Sequence, residues 1–376
     1  MRVRRAAIFI LCAVIIIVIV LDVGPVRAVD GLPELLAEPW PEAEQLFRRD
    51  GFWLGGDGAS TVALGAERIL WLFGDSFIDP AGTGDRRAAS IIRNSIAVQK
   101  GRDPAGATVS FFWRDDDGCP LPFFPGNGDR WYWPGAGVRL ETGLLIFLME
   151  IEEAQNELGF DAAGWKAVTV DNPDDEPPCW RLERISQLPG KDFGIIVGSG
   201  SAFVRDEHLY AVGADPERRN IYVLRWSLKD AGRADLSRPC WWSGESGRWV
   251  PVDRLSGVPS PLFTEGQMEF TLHYNESLGK YLHIQTGTFI DPAIMLRGAR
   301  NITGPWSSPE RVYEVPESRE KGLFVYAGKA HPSLAGADLV ITYNVNTMDR
   351  ERLLSDRGIY FPRFVKVFLA LCSGTK

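Results

Sequence analysis

The chain has 376 residues, with 41 Lys and Arg against 49 Asp and Glu for a formal net charge of -8, and 45% of its residues are hydrophobic. An acidic chain with no basic stripe argues against nucleic-acid binding. Plentiful Gly (39), Pro (25) and Trp (13), with no sustained amphipathic period after Arg49, argue against a helical protein and for an all-β chain rich in turns.

At the start, Arg2, Arg4 and Arg5 precede an apolar run over 6–21, and Val26-Arg27-Ala28 follows. A basic region, an apolar core and small residues before a cut predict a secretory signal peptide cleaved after Ala28. The apolar run is shorter than the ~20 residues that span a bilayer comfortably, and an uncleaved membrane anchor over 6–21 is the alternative. Either way the protein is expected outside the cytoplasm: secreted, periplasmic or tethered to the membrane. Losing residues 1–28 removes four Arg and one Asp, leaving 37 basic against 48 acidic side chains, or -11. Cys119, Cys179, Cys240 and Cys372 then remain. They allow up to two disulfides in three connectivities, but none has CxxC spacing, so free buried thiols or loop staples are the plainer expectation.

Residues 29–50 read as a Pro-punctuated lead-in with a short helix from Pro41, packed outside a domain covering 51–376. Residues 55–78 (GGDGASTVALGAERILWLFGDSFI) predict a strand over 59–64, a turn over 65–68 and an apolar strand over 69–73. Asp57 precedes the first strand and Asp75 follows the second, so pairing brings both carboxylates to one end of a sheet. The same outline recurs over 135–152, 200–213, 268–287 and 330–346. Five copies spaced roughly 60 to 75 residues apart, against ~40 to 50 for an undecorated blade, predict a five-bladed β-propeller with long loops.

Between the hairpins, 90–99 (SIIRNSIAVQ) and 108–113 (TVSFFW) alternate with period two and complete the first blade. A turn is expected over 115–118. The aromatic loop over 119–133 offers Trp131, Tyr132 and Trp133 as sugar-stacking rings, with plugs for a blade interface as the equal alternative. Residues 172–178 (NPDDEPP) read as a solvated turn, 220–226 as a strand, and the 240–242 and 248–250 segments as outer strands. Asn275 and Asn301 open glycosylation sequons, and 361–371 supplies a last strand.

Glycosidic bonds are cut by two carboxyl groups, one protonated and one ionised. Asp57, Asp75 and Glu269, at the edges of the first and fourth hairpins, are the catalytic candidates. Each has a plainer reading: Asp57 and Asp75 as turn residues bonding their own backbone, and Glu269 as a solvent-facing strand residue. Glu150 and Glu152 share a strand face and line the funnel or simply mark an exposed strand end. Arg93 and Asn94 are candidates for sugar hydroxyls or for bracing the two aspartates. His331, one of four histidines, is a satisfied structural residue or, as related propellers imply, helps hold a cation or orient an acid. No HExxH, GxSxG, P-loop or dinucleotide motif appears.

Several of these segments also carry a resemblance. Gly56-Asp57-Gly58, Leu72-Phe73-Gly74-Asp75-Ser76-Phe77, Arg93-Asn94-Ser95, the hairpin over 135–140, Gly304-Pro305-Trp306-Ser307, His331-Pro332 and Thr342-Tyr343-Asn344 together resemble a secreted family of unknown function. Its members are five-bladed propellers, some of them endo-acting hydrolases of D-arabinan in mycobacterial cell walls, and the similarity covers 51–371. It is similar in architecture to the arabinanase and fructosidase propellers. The resemblance implies Asp57 as the first-blade base or nucleophile and Glu269 as the general acid. Those propellers also present an Asp on the second blade, where this chain has Trp133-Pro134-Gly135, and Asp75 is the substitute. Arg93, Asn94, Trp131, Trp133, His331 and Asn344 are then the substrate-binding candidates.

The expectation is therefore an exported, monomeric propeller that hydrolyses a polysaccharide, an arabinofuranosyl polymer above others. It needs no cofactor, with a structural calcium ion in the channel left open. The rivals are a carbohydrate-binding propeller without catalysis and a protein-interaction propeller.

Overall fold

The computed structural model describes residues 34–191, 193–288 and 290–369. The expected signal or anchor segment and Cys372 lie outside them. The chain is all-β. Among the described residues five antiparallel sheets of four or five strands follow one another in sequence, the first four opened by expected hairpins, with a three-stranded and a two-stranded sheet beside them.

The first sheet pairs Ser60–Gly65, Arg68–Phe73, Ser95–Lys100 and Thr108–Phe112. The second pairs Trp131–Leu140, Gly143–Glu153, Phe160–Val170 and Leu182–Arg184. In the third, Ile196–Arg205, His208–Ala214 and Ile221–Ser227 are extended by Cys240–Ser243 and Arg248–Pro251, the outer strands foreseen from their alternation. The fourth consists of Phe270–Asn275, Lys280–Thr286, Ile294–Ala299 and Glu310–Tyr313. The fifth runs Leu323–Ala330, Leu339–Thr347 and Arg363–Leu369, and its outermost strand is Leu35–Pro39 from the other end of the chain.

The lead-in is thus part of the fold. Leu35 pairs with Leu369 and Pro39 with Val365, and Pro39 is tolerated because an edge strand has no outer partner to satisfy. The expected helix follows at Pro41–Arg48, with Pro at its start, where a missing N–H costs nothing. It buries Ala43, Leu46 and Phe47, and Phe47 packs against Trp53, Trp71, Phe73 and Phe364, tying the first sheet to the fifth.

Three expectations are corrected. Residues 90–99 are not one strand: Ser90–Ile92 joins Trp53–Gly56 and Ser76–Ile78 in a small side sheet, and Ser95–Lys100 belongs to the first sheet. The break falls at Arg93 and Asn94, where Asn94 turns inward to hold the backbone of Phe124 and Tyr132. The fifth hairpin does not begin at Ala330. Its first strand, Leu323–Ala330, lies upstream, and 331–338 forms the connecting loop. Cys119, Cys179 and Cys240 carry free thiols, the first two of them exposed rather than buried. Among the described residues no helix is long and apolar enough to cross a membrane.

The opening strands of consecutive sheets are neighbours, first to second, second to third, third to fourth and fourth to fifth. The fifth returns to the first through side chains: Lys329 donates to Ser60 Oγ at 3.0 Å, and His331 Nδ1 and Thr61 Oγ1 are 2.9 Å apart.

Candidate active site

Asp57, Asp75 and Glu269 come together. The Asp57 carbonyl accepts from Gly74 N at 2.9 Å, which sets the two aspartates on either side of the first hairpin's open end. Glu269 immediately precedes the opening strand of the fourth sheet. A Cβ on Gly58 would stand 3.6 Å from Glu269 Oε1, so the fourth-sheet acid reaches the backbone beside Asp57.

Asp57 receives two tyrosine hydroxyls on one oxygen: Tyr326 donates to Oδ2 at 2.7 Å and Tyr360 at 3.2 Å. Burial, reinforced by the charges of Asp75 and Glu269, nevertheless pushes its carboxyl up to about 8, the tyrosine bonds pulling the other way. Burial and the charge of Asp57 hold both tyrosines far above the ordinary phenol value, so their protons remain to be donated. Asp75 accepts from Trp133 Nε1 at 2.9 Å on one oxygen and from Arg93 Nη1 at 3.2 Å on the other. Its carboxyl is also raised by burial, and these two donors offset part of the effect. Arg93 in turn lies 4.2 Å over the Trp131 ring, a cation–π contact.

Glu269 pairs with Lys329, Nζ to Oε1 at 3.0 Å. The Lys329 side chain is 1% exposed, and an ammonium so deeply placed persists only with an anion and acceptors around it. Its delivery depends on an irregularity in the Leu323–Ala330 strand. Tyr326 pairs with Asn344 and Lys329 with Thr342, so Ala327 and Gly328 on one strand stand opposite Tyr343 alone on the other. Residues three apart on a regular strand face opposite ways. The extra residue, marked by Ala327 at φ 52°, puts Tyr326 and Lys329 on one face, toward Asp57 and Glu269.

Tyr360 is placed with equal care. It has φ 63°, uncommon for a bulky side chain, and the loop behind it is gathered by Arg86, which is buried and donates to the carbonyls of Leu54, Leu353, Asp356 and Ile359.

The other sequence candidates divide. Trp133 and Arg93 hold Asp75, and Trp131 lies against the Arg93 guanidinium. Asn94 is fully buried and committed to the backbone of Phe124 and Tyr132. His331 is buried between Thr61 Oγ1 and Thr342 Oγ1, on its two ring nitrogens. Burial, with Lys329 close by, lowers it to about 3, so it stays neutral and moves no proton near neutral pH. Asn344 is buried and donates to Gly56 O at 3.3 Å, bracing the backbone just before Asp57. Tyr132 is buried and offers no open ring. Glu150 is held by Arg130 at 3.0 Å and Lys166 at 3.4 Å, and Glu152 by Arg130, away from the three acids.

Sequence reasoning missed Tyr326, Lys329 and Tyr360. The signal was present in part: a lysine inside an otherwise apolar strand pattern over 323–330 is a buried cation in need of an anion. Among the described residues no group of three or more His, Cys, Asp or Glu side chains is arranged to hold a metal ion.

Fold and site define an all-β protein with a carboxylate cluster where its first, fourth and fifth sheets meet. The chain belongs to the family described as domain of unknown function (DUF5005), whose profile matches residues 42–369. No curated protein matches it. Among solved structures it is similar to a presumed hydrolase from Bacteroides ovatus, at 18% identity and TM-score 0.71 over 89% of this chain and 90% of that one. It is also similar to an alpha-L-arabinofuranosidase from Lactobacillus brevis, at 13% identity and TM-score 0.48 over 89% and 96% of the two chains. An exo-beta-1,3-galactanase from Phanerochaete chrysosporium gives 13% identity and TM-score 0.48 over 83% and 59%. Of these the first supports a common fold, and the weaker two carry no argument.

Proposed function

We propose that this chain is an exported glycoside hydrolase, built as a five-bladed β-propeller, that cleaves an arabinofuranosyl polymer. The observation that carries the reading is the meeting of Asp57 and Asp75, from the first sheet, with Glu269, from the fourth, beside Arg93 and Lys329 as counter-charges. Asp75 and Glu269 keep 20% and 23% of their side chains exposed, open to a substrate. Five sheets in order, with the fifth bonded back to the first, support the ring.

Hydrolysis needs one carboxyl that gives a proton to the leaving oxygen and one that takes a proton from water or attacks the anomeric carbon. Asp57 holds its proton to about pH 8, and Glu269 lies 3.0 Å from the Lys329 ammonium. In our reading Asp57 is the acid and Glu269 the base or nucleophile, the reverse of the order implied by resemblance. Asp75, fixed by Trp133 and Arg93, stands beside Asp57, and its carboxylate form favours the protonated form of that neighbour.

The test is incubation of the purified protein with arabinan, followed for released oligosaccharides. Asp57→Asn and Glu269→Gln should each lose roughly 10²- to 10⁴-fold in kcat. With Asp57 as acid, kcat/KM falls as pH rises past about 8, because the proton-bearing form disappears. A rate that instead rises through the same range makes Asp57 the base. Binding of glycan with no product at any pH overturns the hydrolase reading and leaves a carbohydrate-binding propeller.

A further inference from the structure

A cavity of about 240 Å³ lies between the second and third sheets, apart from the three carboxylates. One wall is the run of small residues at 162–164, Ala-Ala-Gly, at the start of Phe160–Val170. Phe193 and Ile196 add apolar surface, and Glu217 and Arg218 stand at the polar side. The turn that presents this pair is fixed. Asp215, 7% exposed, accepts Glu217 N at 2.9 Å and Arg218 N at 3.1 Å on Oδ1, and its carbonyl accepts Arg219 N at 2.8 Å. Both side chains are exposed, and neither forms an ion pair among the described residues. Apolar surface beside one acid and one guanidinium suits a sugar ring, which has apolar faces and an edge of hydroxyls. The volume falls below the ~300 to 1,000 Å³ that encloses a drug-sized ligand, nearer to a single ring.

One layer of packed side chains joins the cavity wall to the carboxylates. Trp133, whose N–H holds Asp75, packs edge-on against Phe160 with ring centroids 4.7 Å apart. Ala162, two residues further along that strand, lines the cavity. Ile196, on the opposite side, packs in one cluster with Trp133, Phe160, Ala162 and Met268, and Met268 is the neighbour of Glu269. From Trp133 the wall extends on the order of 10–15 Å, given ~3.3 Å per strand residue, which is more than one sugar ring.

We propose that this cavity is a distal subsite that holds a further sugar residue of the polymer whose bond is cut at Asp57 and Glu269. The assignment rests on the glycosidase reading and deepens it: the protein grips a stretch of chain rather than a terminal unit, with Phe160 as the stacking ring between the two points.

The test measures kcat/KM on an arabino-oligosaccharide series for the wild type, Ala163→Trp, which fills the cavity, and the exposed-site variant Arg218→Ala. For the wild type kcat/KM should rise with length. In both variants the ratio between the longest and shortest cleaved substrates should fall about tenfold, and an unchanged ratio overturns the subsite. Should the wild type release no product from any glycan, the hydrolase reading fails separately. The subsite is then decided by calorimetric binding of the same series to the wild type: weaker binding of the longer members by Arg218→Ala supports it, and equal binding overturns it. Thermal unfolding of each variant identifies any that has failed to fold.

Discussion

At Gly74 there is no room for a side chain. A Cβ would stand 2.6 Å from Asp57 Oδ1 and 3.6 Å from Trp133 Cδ1. Gly74→Ala should therefore push the Asp57 carboxyl off its tyrosines, and a displacement approaching 1 Å costs about 10²-fold in rate. The expected outcome is a kcat on arabinan reduced about 100-fold with Tm little changed, measured by product release and thermal unfolding. Tyr326 bears on the same carboxyl through its hydroxyl, which lowers the Asp57 pKa. Tyr326→Phe removes that opposition, so the alkaline limb of kcat/KM should move upward from about 8, and a downward move would contradict the assignment. Asp57 and Asp75 were legible in the sequence because glycines isolate them at strand ends, as Gly-Asp-Gly and Gly-Asp-Ser. Their partners were not. Tyr326 and Tyr360 are 269 and 303 residues from Asp57, and nothing local distinguishes either from an ordinary half-buried tyrosine.

The Leu323–Ala330 strand shows how one element can set a charge pattern. Its bulge turns Lys329 to the face of Tyr326, and the residue after Ala327 is a glycine because the fourth sheet lies against it. A Cβ on Gly328 would be 2.6 Å from Thr286 N and 2.8 Å from the Gln285 carbonyl carbon, both backbone atoms that cannot yield. Gly328→Ala should force the fourth and fifth sheets apart and cost about 1–3 kcal/mol, read as a lower urea midpoint at unchanged slope. The sequence misplaced this strand for a related reason. Period-two alternation is the signal for a strand, and an extra residue breaks the period where the function is carried. The opposite error occurred at 90–99, where alternation continues through Arg93 and Asn94 although the chain changes sheets. Alternation records which residues face inward, not which strand lies alongside.

Over the whole molecule, the hairpins were legible because each repeats a local pattern, whereas the closing strand Leu35–Pro39 was not. It has five residues, one of them Pro, and its partner Arg363–Leu369 lies more than 300 residues away. Deleting residues 29–39 should bare the edge of Arg363–Leu369. The expected result is a Tm lower by about 5 °C or more and light scattering from edge-to-edge association. The pairing also orders events in time. Leu35–Pro39 is synthesised more than 300 residues before Arg363–Leu369, so it cannot dock, and the fifth sheet cannot be completed, until that later strand has been made. Tyr326, Lys329 and Tyr360 all come from that final stretch, which means a nascent chain carries Asp57 and Asp75 long before it owns the groups that tune them. The carboxylate cluster is thereby completed late, once the fifth sheet exists.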